Sequence, residues 1–414
     1  MKKLLVLSFL MIPALAGGNE VIYLDYAASY AASRGALEEF VKVAQLDGNS
    51  SGLNVHAKHL KEIEERAAKI VAGKINAKPD QIHFCSSATT ANNIAILGVA
   101  QGNPGCHLIT SKIEHKSVLN VFKHLETRRY KVTYLNVDRH GNVDLEQLRK
   151  SIRKNTKLIS IQMLNSEIGT LQNVKAIGEI ARQHKILFHT DAAQAFCKYD
   201  IDIEALHIDL LTMAGHKIGS PKGIGALYIR DPSRLQPILF GSGDEFFPGS
   251  KATELIAAFA AAVQNFKFDT AKIARNFNVL TTELTKIGNI HINSSSPSHI
   301  VSVSIAGVLL TDIMERLKEY SFAAGCSCTG QERSNVMAAI DPEDKLPSCT
   351  LRISFFDSLE LHQLITFAQR LKTVVDQLRR EKSVAKGCES IDTVKQKDLG
   401  DSLNKIQELL EKGK

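Results

Sequence analysis

Between residues 20 and 265 short apolar runs alternate with stretches whose apolar positions recur every three or four residues. His107-Leu-Ile-Thr-Ser111, Val132-Thr-Tyr-Leu-Asn-Val137 and Leu158-Ile-Ser-Ile-Gln-Met163 have strand length and composition, as do residues 186–190, 210–213 and 225–229. Between them Leu60, Ile63, Ala67, Ile70 and Val71 keep helical spacing, and so do Ile177, Ile180 and Ala181. Strand–helix alternation of this kind predicts a mostly parallel sheet covered on both faces, an α/β domain. Ligands of such sheets bind beyond the carboxyl ends of the strands, so the residues just after each strand are the candidates for chemistry.

The texture changes near residue 266. A helical stretch leads to Ile290-His-Ile-Asn293, a Ser/Pro turn and the strand Ile300-Val-Ser-Val-Ser-Ile305; a further helix, a Gly/Cys-rich loop and Thr350-Leu-Arg-Ile-Ser-Phe355 follow. The expected organisation is a large domain over residues 17–265, a smaller α+β domain over 266–380 and a polar tail over 381–414. In that tail Leu399, Leu403, Ile406, Leu409 and Leu410 form one apolar stripe.

With 414 residues, 44% of them apolar, the chain can bury a large core, and domains of roughly 100–200 residues make two units the natural expectation. The formal net charge of +7 is spread among acids, with no basic stripe interleaved with aromatics, which gives nucleic-acid binding no support. It suits an anionic cofactor or an acidic protein partner. Seven irregularly spaced cysteines do not make a disulfide framework; Cys326 and Cys328 are the only close pair, and no companion ligands complete a metal site. The N-terminus points elsewhere. Met1-Lys2-Lys3, a short apolar run and Ala14-Leu15-Ala16 resemble an export signal over residues 1–16, against an apolar extension packed on the domain. The two readings imply different compartments, and no other stretch is apolar enough to span a bilayer.

Four segments follow predicted strands. Cys85-Ser-Ser-Ala-Thr-Thr-Ala-Asn-Asn93 is small, hydroxylic and opens a helix, where backbone N–H groups and the helix dipole favour a phosphate. Ser111-Lys-Ile-Glu-His115 ends a strand, and a histidine there serves equally as a structural cap. His189-Thr-Asp191-Ala-Ala-Gln194 places an acid among small residues. Ala214-Gly-His-Lys217, followed by a Gly/Pro-rich turn, puts a lysine directly after a buried strand, where burial favours the free amine that attacks a carbonyl.

The order Leu24-Asp-Tyr-Ala-Ala28, Gly48-Asn-Ser-Ser51, Glu114-His115, Asn165-Ser-Glu-Ile-Gly169, Asp191-Ala-Ala-Gln194, Gly215-His-Lys217 and Pro221-Lys-Gly223 resembles the cysteine desulfurases, class V of the fold-type I pyridoxal 5'-phosphate (PLP) enzymes, over about residues 21–375. The resemblance implies that Lys217 links to the cofactor and moves the substrate α-proton, that Asp191 pairs with the ring nitrogen and that His115 stacks on the ring. It gives Gln194 to the phenolic oxygen, and Ala88, Thr89 and His216 to the phosphate. Thr253 matches a residue that reaches the neighbouring subunit's phosphate, which implies a homodimer. Arg352 would bind the substrate carboxylate with Asn165 nearby, and Cys328 would take sulfur from L-cysteine and pass it to an acceptor such as an iron–sulfur scaffold.

The chain departs from the family around the cofactor. Ser166 stands for Asn, Ala214 for Ser and Ser220 for Gly; an Arg-rich stretch is replaced by residues 241–251, where Lys251 supplies charge but no guanidinium fork. At roughly 0.5–1.5 kcal/mol per net hydrogen bond, losing two or three weakens PLP binding by one to three decades. Two alternatives stay open at this point: another class V activity, such as a selenocysteine lyase or an aminotransferase, and a non-catalytic paralogue.

Overall fold

The computed structural model describes residues 21–324 and 333–383. The leader-like residues 1–16, Cys326, Cys328 and most of the tail, including its apolar stripe, lie outside the described residues. In chain order the elements are β1 (Ile22–Tyr23), α1 (Arg34–Ala44), α2 (Val55–Gly73), β2 (Ile82–Cys85), α3 (Ala88–Gln101), β3 (His107–Ser111), α4 (Lys116–Thr127), β4 (Lys131–Leu135), α5 (Leu145–Ser151), β5 (Thr156–Ser160), α6 (Val174–Gln183), β6 (Leu187–Asp191), β7 (Leu210–Ala214) and β8 (Gly225–Ile229). There follow α7 (Thr253–Asn265), α8 (Thr270–Thr285), β9 (Ile290–Ile292), β10 (Ile300–Ile305), α9 (Leu310–Arg316), β11 (Tyr320–Ser321), β12 (Ala323–Ala324), α10 (Asn335–Ile340) and β13 (Cys349–Ser354). A last helix, α11, spans residues 361–383.

Seven strands form the large sheet in the order β2-β8-β7-β6-β5-β3-β4. Only β8 runs against its neighbours, so β2 and the other five strands end on the same side. Every residue of β3, β6, β7 and β8 is buried, which is why these strands read as continuous rather than alternating apolar runs. Phe188, Leu211 and Tyr228 are fully buried in the main core, where burial of a large apolar side chain stabilises by roughly 1.5–3 kcal/mol. The flanking helices are locally specified: Asn54 caps α2 through Ala57 N–H, and Ser87 caps α3 through Thr90 N–H.

A second, antiparallel sheet has the order β12-β13-β10-β9 and packs its own apolar core with α8 and α11. The chain's first strand belongs with this half. β1 pairs with β11, and Leu24 is buried in the second core. Residues 21–30 then cross to the large sheet as a strap: Tyr30 N–H donates to His216 O at 2.8 Å, while Ser354 N–H donates to Leu24 O at 2.8 Å. Among the described residues no helix is long and apolar enough to cross a membrane.

Candidate active site

The common side of the large sheet holds a cavity of about 340 Å³, within the range of roughly 300–1,000 Å³ usual for small-molecule sites. Five strand ends feed it. Ala88 and Thr89 follow β2, His115 follows β3, Ser166 follows β5, Asp191 ends β6 with Gln194 after it, and His216 and Lys217 follow β7. Arg352 enters from β13 of the second sheet.

Lys217 opens into the cavity, and the surrounding bulk of protein pulls its amine down to about 8 against the opposing pull of Asp191. The structural cause is its position on a turn after the fully buried β7, a place where a charged ammonium is poorly solvated. Asp191, 8% exposed, ends the neighbouring β6. Its Oδ1 accepts from Ala193 N–H at 2.9 Å and its Oδ2 from Asn92 Nδ2 at 2.8 Å, so the carboxylate is held in one orientation. Beneath it His189 is clamped between Ser160 and Thr212.

His115 caps α4, its Nδ1 accepting from Ser117 N–H at 3.1 Å, and lies on the cavity rim. Burial lowers its pKa. With Nδ1 accepting, the neutral ring carries its proton on Nε2. Gln194 donates to Ala27 O at 2.7 Å, and its buried Oε1 has no partner. At the other end, Ser87 satisfies Thr90 N–H, while the first-turn donors of α3 beside Ala88 and Thr89 have no intrahelical acceptor. His216, held neutral mainly by burial with a pKa of about 4, lines the same end.

Arg352 donates through NH1 to Ser166 O at 3.0 Å and through NH2 to Asp25 Oδ1 at 2.7 Å, while its buried Nε lacks a partner. Two expected residues stand outside the cavity lining. Asn165 spends its amide on its own turn, accepting from Glu167 and Ile168 N–H and donating to Ile113 O. Thr253, 4% exposed at the start of α7, donates to Glu64 Oε1 at 2.7 Å. Cys328 is outside the described residues, but its flanks are placed: Ala323 pairs with Arg352, and Asn335 donates to Lys112 and Glu114 carbonyls beside His115.

Sequence reasoning missed Asn92, Asp25 and Gln162. Asn92 lay within a quoted motif, but its contact to Asp191 spans 99 residues. Two of the altered positions find ion-pair partners. Lys251 faces Glu64 at 3.7 Å and Asp244 pairs with His83 at 3.1 Å. Ala214 lines the cavity, and Ser220 Oγ is buried without a partner.

The donor set suits a planar, phosphorylated aldehyde. A low-pKa amine stands near an oriented carboxylate, an orphaned amide oxygen remains at Gln194, and a helix start with free donors lies at one end.

The family model described as "Aminotransferase class-V" matches residues 22–360. The chain is 37% identical over 376 residues to "Cysteine desulfurase IscS" of Neisseria gonorrhoeae, covering 86% of this chain and 93% of that protein. It is 36% identical over 386 residues to "Cysteine desulfurase, mitochondrial" of Candida maltosa, covering 88% and 79%. Among solved structures, "SspA in complex with cysteine" aligns with a TM-score of 0.73 at 34% identity, covering 81% of this chain and 99% of that one. A "NIFS-LIKE PROTEIN" aligns with a TM-score of 0.79 at 26% identity, covering 86% and 99%. The chain therefore belongs to the class-V aminotransferase family, whose members use pyridoxal phosphate.

Proposed function

We propose that the protein is a PLP-dependent cysteine desulfurase that converts L-cysteine to L-alanine, leaves the sulfur on Cys328 as a persulfide and passes it to an acceptor protein such as an iron–sulfur scaffold. The observation that carries this reading is the convergence of Lys217, Asp191 and Arg352 on one cavity, with Ala323 paired to Arg352 and Asn335 bonded to the Glu114 carbonyl. PLP, when bound, supplies an electron sink for the pair released at the substrate α-carbon.

Each residue has a role in this reading. Lys217 would hold the cofactor and, as the free amine, take and return the α-proton. Asp191, fixed by Asn92 and Ala193, would pair with the ring nitrogen. His115 and Gln194 would hold the ring, and Ala88, Thr89 and His216 the phosphate. Arg352 orients the α-carboxylate while Asn165 shapes the turn behind it. The Cys328 thiolate attacks the substrate sulfur: the Cβ–S bond breaks, the S–S bond forms, and carbon takes up protons to give alanine. A homodimer would bring the surface around α7 and Thr253 to a second copy.

The test is alanine and persulfide formation from L-cysteine by the purified chain supplied with PLP and a thiol. Wild type is expected to turn over, and Lys217→Ala and Cys328→Ser to fail. A PLP-loaded wild type that releases no alanine would overturn the substrate assignment, and a chain that takes up no PLP would make it a non-catalytic relative.

A further inference from the structure

We infer that Asp25 is a positioning residue that sets the Arg352 guanidinium for an α-carboxylate; this rests on the carboxylate-binding reading of Arg352 above. Asp25 does not line the cavity. It sits on the strap behind Arg352, 20% exposed against 14% for the arginine side chain, with 2.7 Å between Oδ1 and NH2. The Ser166 carbonyl takes NH1 at 3.0 Å. Two acceptors at two corners fix the plane of a guanidinium, and a fork held in this way loses less freedom when a carboxylate arrives. The remaining donors include the buried Nε–H, which has no partner. A carboxylate entering the cavity satisfies it.

The strap does not need the Asp25 side chain to stay in place. Leu24 N–H donates to Ser321 O, Ser354 N–H to Leu24 O and Tyr30 N–H to His216 O, while Ala27 is held by Ser354 Oγ and Gln194. Asp25 itself forms a backbone bridge with Ser354, two residues from Arg352 on β13. Main-chain pairing thus sets the distance between acid and guanidinium, and the carboxylate is free to act on Arg352. It also opposes, at Lys217, the effect of the Arg352 cation that helps to depress the amine.

The experiment uses the full-length, PLP-loaded chain carrying Cys328→Ser, which binds substrate without sulfur transfer. L-cysteine and cysteamine, which lacks the carboxylate, are titrated through the absorbance of the bound cofactor. The parent is expected to prefer L-cysteine, and Asp25→Ala to cut that preference by about ten- to a hundredfold, the size of a charge-assisted contact. Asp25→Asn, which keeps an acceptor of the same reach, falls in between, and both variants retain cofactor content and melting temperature. An unchanged preference in Asp25→Ala overturns the assignment. So does a loss that follows falling cofactor content or melting temperature in both variants, which makes the pair structural. A parent with no preference removes the carboxylate reading of Arg352 and the inference with it. A parent with full preference, beside a wild type that releases no alanine, overturns the desulfurase reading alone.

Discussion

Asn92, fully buried on α3, donates to Asp191 Oδ2 at 2.8 Å and to Ser117 Oγ at 2.9 Å. One amide group therefore ties the helix that opens at Ala88 to the carboxylate at the end of β6. Ala193 N–H takes the other oxygen, so the carboxylate is held by one donor on each side. Asn92→Leu keeps the branching and the heavy-atom count but leaves Oδ2 without its donor. We expect PLP to dissociate about tenfold more readily, the equivalent of roughly one net hydrogen bond, with the sheet intact. Absorbance titration of the apoprotein with PLP measures this; an unchanged dissociation constant means that Asn92 only packs.

The depressed pKa of Lys217 fixes the pH dependence of cofactor uptake. Burial lowers the amine to about 8. Below that pH the ammonium form dominates and cannot attack the aldehyde; above it the free amine does. The rate of PLP incorporation should rise about tenfold per pH unit toward 8 and then level off. Following the absorbance change after mixing apoprotein with PLP tests this, and a rise that continues to the ordinary lysine range would show an amine that is not depressed.

His189 is fully buried between Ser160 Oγ at 2.8 Å and Thr212 Oγ1 at 3.0 Å, and burial lowers its pKa from 6.5 to about 4. The unfolded chain takes this proton near 6.5 and the folded chain only near 4. Between these values the unfolded state binds more protons, so stability is lost as pH falls through this window. His107 and His216 are lowered similarly and share the effect. The contribution of His189 is therefore read as a difference: His189→Gln should melt lower at neutral pH but lose less on acidification. Parallel curves for the two proteins would contradict this.

How much was legible follows the range of the interactions. β3, β8 and β10 lie at the bounds expected from their sequence runs, because every residue of each is buried. β1, β11 and β12 have two residues each, too few for any period, and were not seen. Lys217 and Asp191 stood out because each stands at the carboxyl end of a buried strand. Asp25 and Arg352 are 327 residues apart, and Thr253 meets Glu64 across 189. No local pattern encodes such contacts; they exist only once the strap and α7 are packed.

Gly225 shows how a backbone contact supports the phosphate end of the site. A Cβ there would lie 2.7 Å from Met213 O and 3.0 Å from Ala88 N and Ser87 C. β8 passes directly under the first turn of α3, so Gly225→Ala must push either β7 or that turn. We expect a loss of about 1–3 kcal/mol in stability, as for other overpacked sites, together with weaker PLP binding because Ala88 and Thr89 move. Gly73 is the control. It ends α2 with nothing within 4 Å of its would-be Cβ, and Gly73→Ala should be neutral or stabilising by up to about 1 kcal/mol. Chemical denaturation and PLP titration of both variants decide the matter: weaker PLP binding confined to Gly225→Ala places the effect at the α3 turn, whereas a stability loss with PLP affinity intact means that β7 yields and the turn does not.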